Sequence, residues 1–489
     1  MAERFDVLIT AEQAWPAFER AVLAARDEII AGFRIFDMTT RLVSPEAQAI
    51  GETWFDLLEH VVRRGVRLHI IVSDFDPVMA TALHETAWRS VRQGAALAEV
   101  CGVGRARIRI EAALHPAKPG LVPWLAFLAP VLMRKRKALA RTPERQRHAV
   151  HLTSGELPDM HPVTHHQKLA VIDGHVLYVG GLDLNQRRWD TLDHDQPGAQ
   201  TWSDVQVLMT GPEAGEARAH LLSFTQACAG TSKPSVARHI KRTLSAPRRF
   251  QFPFLSPRCV LSEIEEAHLA AFREARHHLH IETQYMRSKV ISDALAEAAQ
   301  RTPDLTMTLI IPALPEEVAY EGADGLDAQF GMARQQSALS TLRESFGERL
   351  TVACPVRPVL AARTGIATLA GSPVIHVHNK VLIVDAQKLL IGSANLNGRS
   401  MHWDTEVAVQ SCDPSHVARG RAALLQHWWF TQPPKEGTDP ETMQAWWMKK
   451  VNENKVMRPE ARHGFLVPFD ADNHADMAQP LPGVTEDMV

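Results

Sequence analysis

The chain has 489 residues, a net charge of −3 and 45% apolar residues, values that are typical of a folded protein of two or three domains. This charge balance excludes an overall attraction to nucleic acid or anionic lipid, so any basic surface must be local. The five scattered cysteines show no metal-ligand spacing, which indicates a reducing compartment without a disulfide framework.

The N-terminal stretch MAERFDVLIT lacks the basic and apolar regions of a secretory signal. No run of 18 apolar residues follows anywhere in the chain, so we expect no transmembrane helix. Three alternating stretches then predict strands, RDEIIAGFRIFDMTTRL, VRLHIIVSDF and RARIRIEAAL, with helical patterns between them. Strands that alternate with helices indicate an α/β layer fold.

An apolar segment with a basic end follows these strands, from Gly120 to Arg141. Thirteen residues with two prolines are too short to span a bilayer. We predict that Trp124 and Phe127 enter a membrane interface while Arg134 and Lys135 meet lipid phosphates. The alternative is a buried helix packed on the domain, or a partner contact.

The stretch HHQKLAVID contains His166, Lys168 and Asp173 in the spacing His-x-Lys-x4-Asp. The apolar run LAVI predicts a strand that is buried on both faces. Strand periodicity places His166 and Lys168 on the same face, at the rim of the sheet. We expect Asp173 to cap the following turn instead of contacting a substrate.

The same spacing recurs in HVHNKVLIVD, where it is formed by His378, Lys380 and Asp385, 212 residues after the first copy. Composition alone predicts roughly 0.03 such matches per chain. KLAVIDGHVLYVGGLDLN also aligns with KVLIVDAQKLLIGSANLN without a gap. A repeat of this length indicates duplicated domains, not a solenoid.

We therefore predict two tandem α-β-α sandwich domains, related by a pseudo-twofold axis, with a shared site between them. The first would span residues 1–245 and the second 246–450, with the boundary in the Pro- and Arg-rich stretch KPSVARHIKRTLSAPRRFQFPF. Residues 451–489 are polar and weakly periodic, and we predict an extended or partly disordered tail.

Two facing His-Lys pairs would repel one another, and a tetrahedral phosphate would relieve that repulsion. One neutral imidazole can attack phosphorus, and the other, protonated, can donate to the leaving oxygen. The lysines would stabilise charge on phosphorus oxygens without a metal or cofactor. Each histidine needs a partner that fixes one ring nitrogen. Asp204 and Glu406 occupy matching positions in the two copies; the alternative is that they are ordinary acids at a strand edge.

The duplicated motif resembles the signature of the phospholipase D superfamily. Further stretches are similar to its phospholipid-cleaving members, namely GGLDLNQRRWDTLDH, WSDVQVLMTGPEA, IETQYM and IGSANLNGRSMHWDTE. The resemblance covers roughly residues 26–429. Thr283 and Met286 depart from the usual asparagine and aromatic residue in IETQYM.

The resemblance implies that His166 is the nucleophile and His378 the acid. It also implies phosphate contacts for Lys168 and Lys380, with Asp204 and Glu406 holding the histidines and Asp173 and Asp385 serving the motif's structure. The implied substrate-binding residues are Asn395, its match Asp183 in the first copy, and Ser393. An aspartate is less suited than an asparagine to binding phosphate.

The resemblance implies an enzyme that hydrolyses or transphosphatidylates glycerophospholipids through a phosphohistidine. Alternatives are a cardiolipin-synthase-like transferase, a superfamily nuclease, and a non-catalytic lipid-binding module. Expected partners are a phospholipid, a membrane surface, and water or an alcohol as acceptor, but not nucleic acid. The oligomeric state is open, and one chain suffices for the site. We predict a cytoplasmic protein, peripheral on membranes, with export lacking a conventional signal as the alternative.

Overall fold

The computed structural model describes residues 4–250, 252–319, 325–470 and 478–479. The first half contains seven strands that form one sheet: β1 Phe5–Ile9, β2 Glu28–Phe33, β3 Arg67–Asp74, β4 Ile108–Leu114, β5 Leu169–Ile172, β6 Val176–Gly180 and β7 Val205–Thr210, in the order β1-β7-β6-β5-β2-β3-β4. Its helices are α1 Thr10–Leu23, α2 Pro45–Gln48, α3 Trp54–Arg63, α4 Thr81–Cys101, α5 Leu121–Arg141, α6 Glu144–Arg147 and α7 Pro212–Cys228.

The second half repeats this plan. Its large sheet has the order β18-β12-β11-β10-β15-β16-β17-β8-β9. The strands are β8 Ile240–Ala246, β9 Arg258–Ser262, β10 His278–Thr283, β11 Thr306–Ile310, β12 Leu350–Pro355, β13 Thr368–Leu369, β14 Ser372–Pro373, β15 Lys380–Val384, β16 Lys388–Gly392, β17 Glu406–Ser411 and β18 Leu466–Pro468. The helices are α8 Glu263–Glu274, α9 Lys289–Arg301, α10 Glu316–Ala319, α11 Leu326–Phe346, α12 Pro414–Trp429, α13 Lys435–Thr438 and α14 Met443–Val456.

The two sheets confirm the predicted α/β class. Helices α1, α3 and α4 share an apolar cluster with the outer face of the first sheet, and α8, α9 and α11 share one with the second. A third cluster contains residues of β5–β7, α7, β15–β17 and α12. This continuous core joins the halves, because burial of these apolar faces against one another removes them from water.

Two of the predicted boundaries differ from the structure. The division at 245/246 falls inside β8, which pairs with β17, so the second sheet begins at Ile240. The Pro- and Arg-rich stretch therefore contains a strand as well as a connection. Part of the predicted tail is also folded, because α14 continues to Val456 and buries Val451 and Asn454, and because β18 pairs with β12. Among the described residues, no helix is both long enough and apolar enough to cross a bilayer.

Candidate active site

The two copies of the motif lie at facing rims of the two sheets. In each copy the histidine and lysine stand at the start of a central strand, β5 or β15. The imidazole centroids of His166 and His378 are 6.5 Å apart. Backbone hydrogen bonds join the halves here: the N–H of His378 donates to the carbonyl of Ser203 at 2.8 Å, and the N–H of Thr405 donates to that of Thr164 at 3.0 Å.

Each histidine is held by a carboxylate from the opposite half. Nδ1 of His166 lies 2.9 Å from Oε1 of Glu406, and Nδ1 of His378 lies 2.7 Å from Oδ2 of Asp204. Both carboxylates are fully buried. An ionised carboxylate can only accept, so each Nδ1 carries a proton and each Nε2 keeps its lone pair. The structure thus brings the four predicted residues into two crossed pairs.

The two lysines are buried beside these pairs. Nζ of Lys168 donates to the carbonyl of His166 at 2.6 Å, and Lys380 does the same to the carbonyl of His378. Burial lowers the pKa of both ammonium groups, that of Lys380 to about 7. Burial therefore disfavours the charge of both lysines, and an anionic ligand would favour it again.

Burial and positive charge also act on the histidines. Burial lowers the pKa of His166 and His378 well below its usual value, and the nearby lysine charges lower it further. Burial raises the pKa of Asp204 and of Glu406, whereas the charges of Lys380 and Lys168 oppose that rise and favour the ionised carboxylates that the Nδ1 hydrogen bonds require. Without a ligand, both imidazoles are therefore favoured in the neutral form.

The three predicted substrate-binding residues have different surroundings. Nδ2 of Asn395 donates to Oε1 of Gln284 at 3.2 Å, while its buried Oδ1 has no hydrogen-bond partner in the described part of the chain. Asp183 accepts from the N–H of Ile35 at 2.9 Å and lies 4.0 Å from Nζ of Lys168. It therefore neutralises that lysine, a role that differs from the predicted phosphate contact.

Ser393 also differs from the prediction. Its Oγ accepts from the N–H of Val407 at 3.1 Å and donates its proton to Oε2 of Glu406. The hydroxyl therefore orients Glu406 and does not face the shared space. The matching residue of the first copy is Gly181, where a Cβ would lie 2.1 Å from Oδ1 of Asp204.

The motif aspartates are structural, although not through the turn that follows them. Asp173 accepts from the backbone N–H groups of residues 26–28, and Asp385 accepts from those of residues 276–278. They thereby satisfy backbone donors where β2 and β10 begin, at the ends of β5 and β15 away from the histidines.

Aromatic and cationic groups beyond the predicted residues complete the site. The ring of Trp202 lies 4.7 Å from that of His378, and its Nε1 donates to Oδ2 of Asp204 at 3.3 Å. The guanidinium carbon of Arg188 lies 3.6 Å from the Trp202 ring centroid. The Trp-x-Asp stretch WSDVQVLM was the sequence signal for Trp202, whereas Arg188 had none.

Arg34 occupies the position in the first copy that Gln284 occupies in the second. Each follows directly on its strand, β2 or β10, and Gln284 contacts Asn395. The positive charge of Arg34 lowers the pKa of both His166 and Lys168. Its guanidinium is half-buried 5.4 Å from the Phe75 ring, and no carboxylate of the described chain forms an ion pair with it. Alignment of the repeats at IIAGFRIFD and LHIETQYM could have identified it.

The predicted membrane-docking residues separate into two groups. Phe127 and Arg134 are exposed on α5. Trp124 is half-buried and donates from Nε1 to the carbonyl of Pro158 at 3.2 Å. Lys135 is buried and donates to the carbonyl of Glu156 at 2.7 Å, so it is not placed to meet lipid phosphates.

Three potential metal ligands lie behind the first motif. They are His115, His165 and Cys228, which are all buried with ligand atoms within 4.8 Å of one another. Nδ1 of His115 accepts from the N–H of Ala117 at 3.2 Å, which leaves the proton on Nε2 and makes that atom a poor ligand. Nδ1 of His165 is already bonded to Oγ1 of Thr405 at 2.8 Å. With Nε2 of His115 protonated, only Nε2 of His165 and the sulfur of Cys228 remain as ligand atoms of this group, fewer than a metal site needs.

Comparisons with known proteins find phospholipase D-like sequences and a similar fold. Residues 269–428 match the family model described as "Cardiolipin synthase, PLD-like domain". Phospholipase D alpha 3 of Arabidopsis thaliana is 23% identical over 52% of this chain and 45% of its own length, and phospholipase D2 of Bos taurus is 23% identical over 50% and 37%. The chain thus spans less than half the length of these curated relatives.

A solved structure has the same fold. The crystal structure of phosphatidylserine synthase from Haemophilus influenzae Rd KW20 covers 93% of this chain and 95% of its own, with a TM-score of 0.50 and 13% identity. Together with the sequence matches, it confirms the resemblance to the phospholipase D superfamily.

Proposed function

We propose, on the premise that this chain is a phospholipase D-like protein, that it cleaves phosphodiester bonds of glycerophospholipids through a phosphohistidine on His166. The observation that carries the proposal is the crossed arrangement of two histidine–carboxylate pairs, with the imidazoles 6.5 Å apart. A phosphorus atom between the rings would have a nucleophile on one side and an acid on the other.

In the first step, Nε2 of His166 attacks phosphorus and forms a P–N bond. The bond from phosphorus to the leaving oxygen breaks as Nε2 of His378 donates a proton to that oxygen. In the second step, His378 takes a proton from water or an alcohol, whose oxygen attacks phosphorus and displaces His166. The two lysines stabilise charge on the non-bridging oxygens throughout.

The protonation of His378 is coupled to substrate binding. In the free enzyme, burial and the charge of Lys380 keep its pKa low. An anionic phosphodiester beside the lysines offsets that repulsion, and Asp204 stabilises the imidazolium at Nδ1. Binding therefore favours the protonated acid just when a leaving oxygen is present.

Glycerophospholipids are proposed as substrates because the curated relatives are phospholipases D. A transferase acting on the same intermediate is the second candidate, since the matched family model is described as a cardiolipin synthase domain. A short primary alcohol should compete with water and yield a phosphatidyl-alcohol. Formation of phosphatidic acid alone, at every alcohol concentration, would contradict an accessible covalent intermediate.

The proposal is tested by assaying the purified protein against a panel of phospholipids, with DNA as a control substrate. His166→Asn and His378→Asn should each abolish cleavage while the thermal melt stays cooperative. His175→Asn is the matched control, because His175 is exposed in the turn after Asp173, at the end of β5 away from the site. Wild-type-like turnover in either folded site variant would refute the shared site.

A further inference from the structure

An extensive apolar surface stands exposed on α5. Only Pro123, Val131 and Lys135 are buried along its 21 residues, so a single stripe of the helix contacts the domain. Val122, Leu125 and Phe127 are 52%, 57% and 45% exposed. Exposure of this kind is unusual for a monomeric soluble protein and marks an interaction site.

A second segment extends this surface. The connection between β8 and β9 carries Phe250, Phe252 and Phe254, which are 69%, 67% and 44% exposed. The connection is tied to the start of α5, because the N–H of Gly120 donates to the carbonyl of Leu255 at 3.1 Å. A Cβ at Gly120 would lie 1.8 Å from the carbonyl oxygen of Phe254, so glycine is required for this close approach. We call these three phenylalanines, together with Val122 and Leu125, which lie three positions apart on one side of α5, the docking face.

The docking face lies at the active-site edge of both sheets. α5 follows β4, which runs parallel to β2 and β3, so all three end at the edge where the first motif stands. The connection follows β8, whose Thr243 is paired with Glu406, the residue that holds His166. A surface that binds here presents its molecules directly to the site.

The charge around the docking face is positive although the whole chain is acidic. α5 contains five basic residues and no acidic residue, against a net charge of −3 for the chain. Arg134, Arg136 and Lys137 are exposed, and Arg248 and Arg249 flank the phenylalanines, with the Arg248 guanidinium 4.0 Å from the Phe254 ring centroid. Apolar groups beside a cluster of cations match the acyl boundary and headgroups of an anionic bilayer.

We propose that the docking face inserts into the interface of an anionic phospholipid bilayer, with the flanking arginines and lysines on the lipid phosphates. The aromatic rings enter the acyl boundary and the cations stay at the headgroups. This orientation places the crossed histidine pairs at the lipid surface. Binding does not depend on turnover, so it can be measured whether or not the proposed cleavage occurs.

The test is co-sedimentation of the full chain with two kinds of vesicle, pure phosphatidylcholine and an equal mixture with phosphatidylglycerol. The wild type should prefer the mixed vesicles, and added salt should weaken the preference. Replacing Phe250 and Phe252 by Ser should lower the partition coefficient at least about tenfold on both kinds of vesicle. Reversing Arg134, Arg136 and Lys137 to Glu should remove the preference, because each cation contributes about fivefold.

Matched controls come from other surfaces of the chain. Val456→Ser removes an apolar side chain that is 85% exposed, and reversal of Arg419, Lys449 and Lys455 changes the same number of exposed charges. Neither should alter binding. Cleavage of a soluble phosphodiester should persist in every variant. If the wild type does not cleave this substrate, the proposed cleavage fails while the vesicle-binding result still stands.

The proposal is overturned if the wild type fails to bind mixed vesicles, or if docking-face and control variants bind equally. It is also overturned if the docking face holds together two copies of this chain, which would be seen as a dimer that the phenylalanine substitutions convert to a monomer. A cooperative melt in each variant separates loss of binding from loss of folding.

Discussion

Replacing Glu406 by Gln should remove far more activity than the loss of one charge. Oγ of Ser393 accepts from the N–H of Val407, and Oε2 of Glu406 lies nearer to it than the Val407 carbonyl at 3.3 Å, so its proton points at Oε2. The carbonyl oxygen of the new amide would therefore face Ser393 and its NH₂ would face Nδ1 of His166. An NH₂ can only donate, which moves the imidazole proton to Nε2, where the attacking lone pair is needed.

The loss of activity has two causes, the lost charge at position 406 and the wrong tautomer of His166. Exchanging a charge-assisted hydrogen bond for a neutral one costs about 1–2 kcal/mol, or roughly 5- to 30-fold in rate. Fixing the wrong tautomer in a catalytic histidine costs on the order of 10⁴-fold. Because the tautomer figure already includes the lost charge, we expect kcat/KM of Glu406→Gln to fall by on the order of 10⁴-fold.

Removing the hydroxyl of Ser393 should restore part of the activity that Glu406→Gln loses. Ser393→Ala in the Glu406→Gln background frees the amide to turn its oxygen toward His166, and activity should recover at least about tenfold. Alone, Ser393→Ala should cost no more than about tenfold, since it removes one hydrogen bond to a charged group. The two substitutions should therefore be strongly non-additive.

The assay is release of nitrophenolate from a soluble nitrophenyl phosphodiester, with a thermal melt for each variant. Glu111→Gln is the control, because Glu111 forms a comparable pair with His69 at 3.0 Å outside the site. A loss below about fivefold in Glu406→Gln, or additive effects of the two substitutions, would refute the tautomer argument.

Three further predictions concern charge and protons. Exhaustive chelation should leave activity on the soluble substrate unchanged, because Lys168 and Lys380 supply the positive charge; complete loss that one metal restores would contradict this. Arg34→Gln should lower kcat/KM about tenfold and move the acid limb of its pH profile upward, since the pKa of His166 rises when a repelling charge is removed; an unmoved limb would place Arg34 outside the site. Burial lowers the pKa of His165 to about 4 and of His220 to about 3. The folded protein keeps both imidazoles neutral, so the free energy of unfolding is highest above pH 6.5 and falls below it, by about 1.4 kcal/mol for each histidine at pH 5.5. Urea titrations of His220→Gln should show a smaller fall in this free energy at acid pH than the wild type, and an equal fall would exclude a role of His220 in acid unfolding.

Much of the fold and the centre of the site could be predicted from the sequence. The repeat of His-x-Lys-x4-Asp identified β5 and β15 because a buried strand needs an apolar run of fixed length. The crossed carboxylates could be proposed from their matched positions, since both begin an alternating stretch, Asp204 before β7 and Glu406 in β17. Each carboxylate holds the histidine of the opposite half, and this crossing depends on how the two sheets face each other, which no local sequence pattern encodes.

The remaining features depend on tertiary contacts. Ser393 was expected to contact substrate, but its direction is set by Val407 and Glu406 on the adjacent strand. Lys135 was expected to be exposed with its basic neighbours, yet the rotation of α5 turns it toward the carbonyl of Glu156. The strand β18 is too short for its pattern to stand out, and its partner β12 lies more than a hundred residues earlier.

In the proposed mechanism His166 becomes covalently attached to phosphorus. This attachment is tested most directly by mixing the enzyme with a radiolabelled phosphodiester, quenching in base, where phosphohistidine survives, and identifying the labelled peptide by mass spectrometry. We expect label on the peptide that contains His166 and none in His166→Asn. His378→Asn should show more label when a nitrophenyl leaving group makes the acid dispensable for the first step. Label on His378 alone, or turnover with no covalent adduct on His166, would contradict this mechanism.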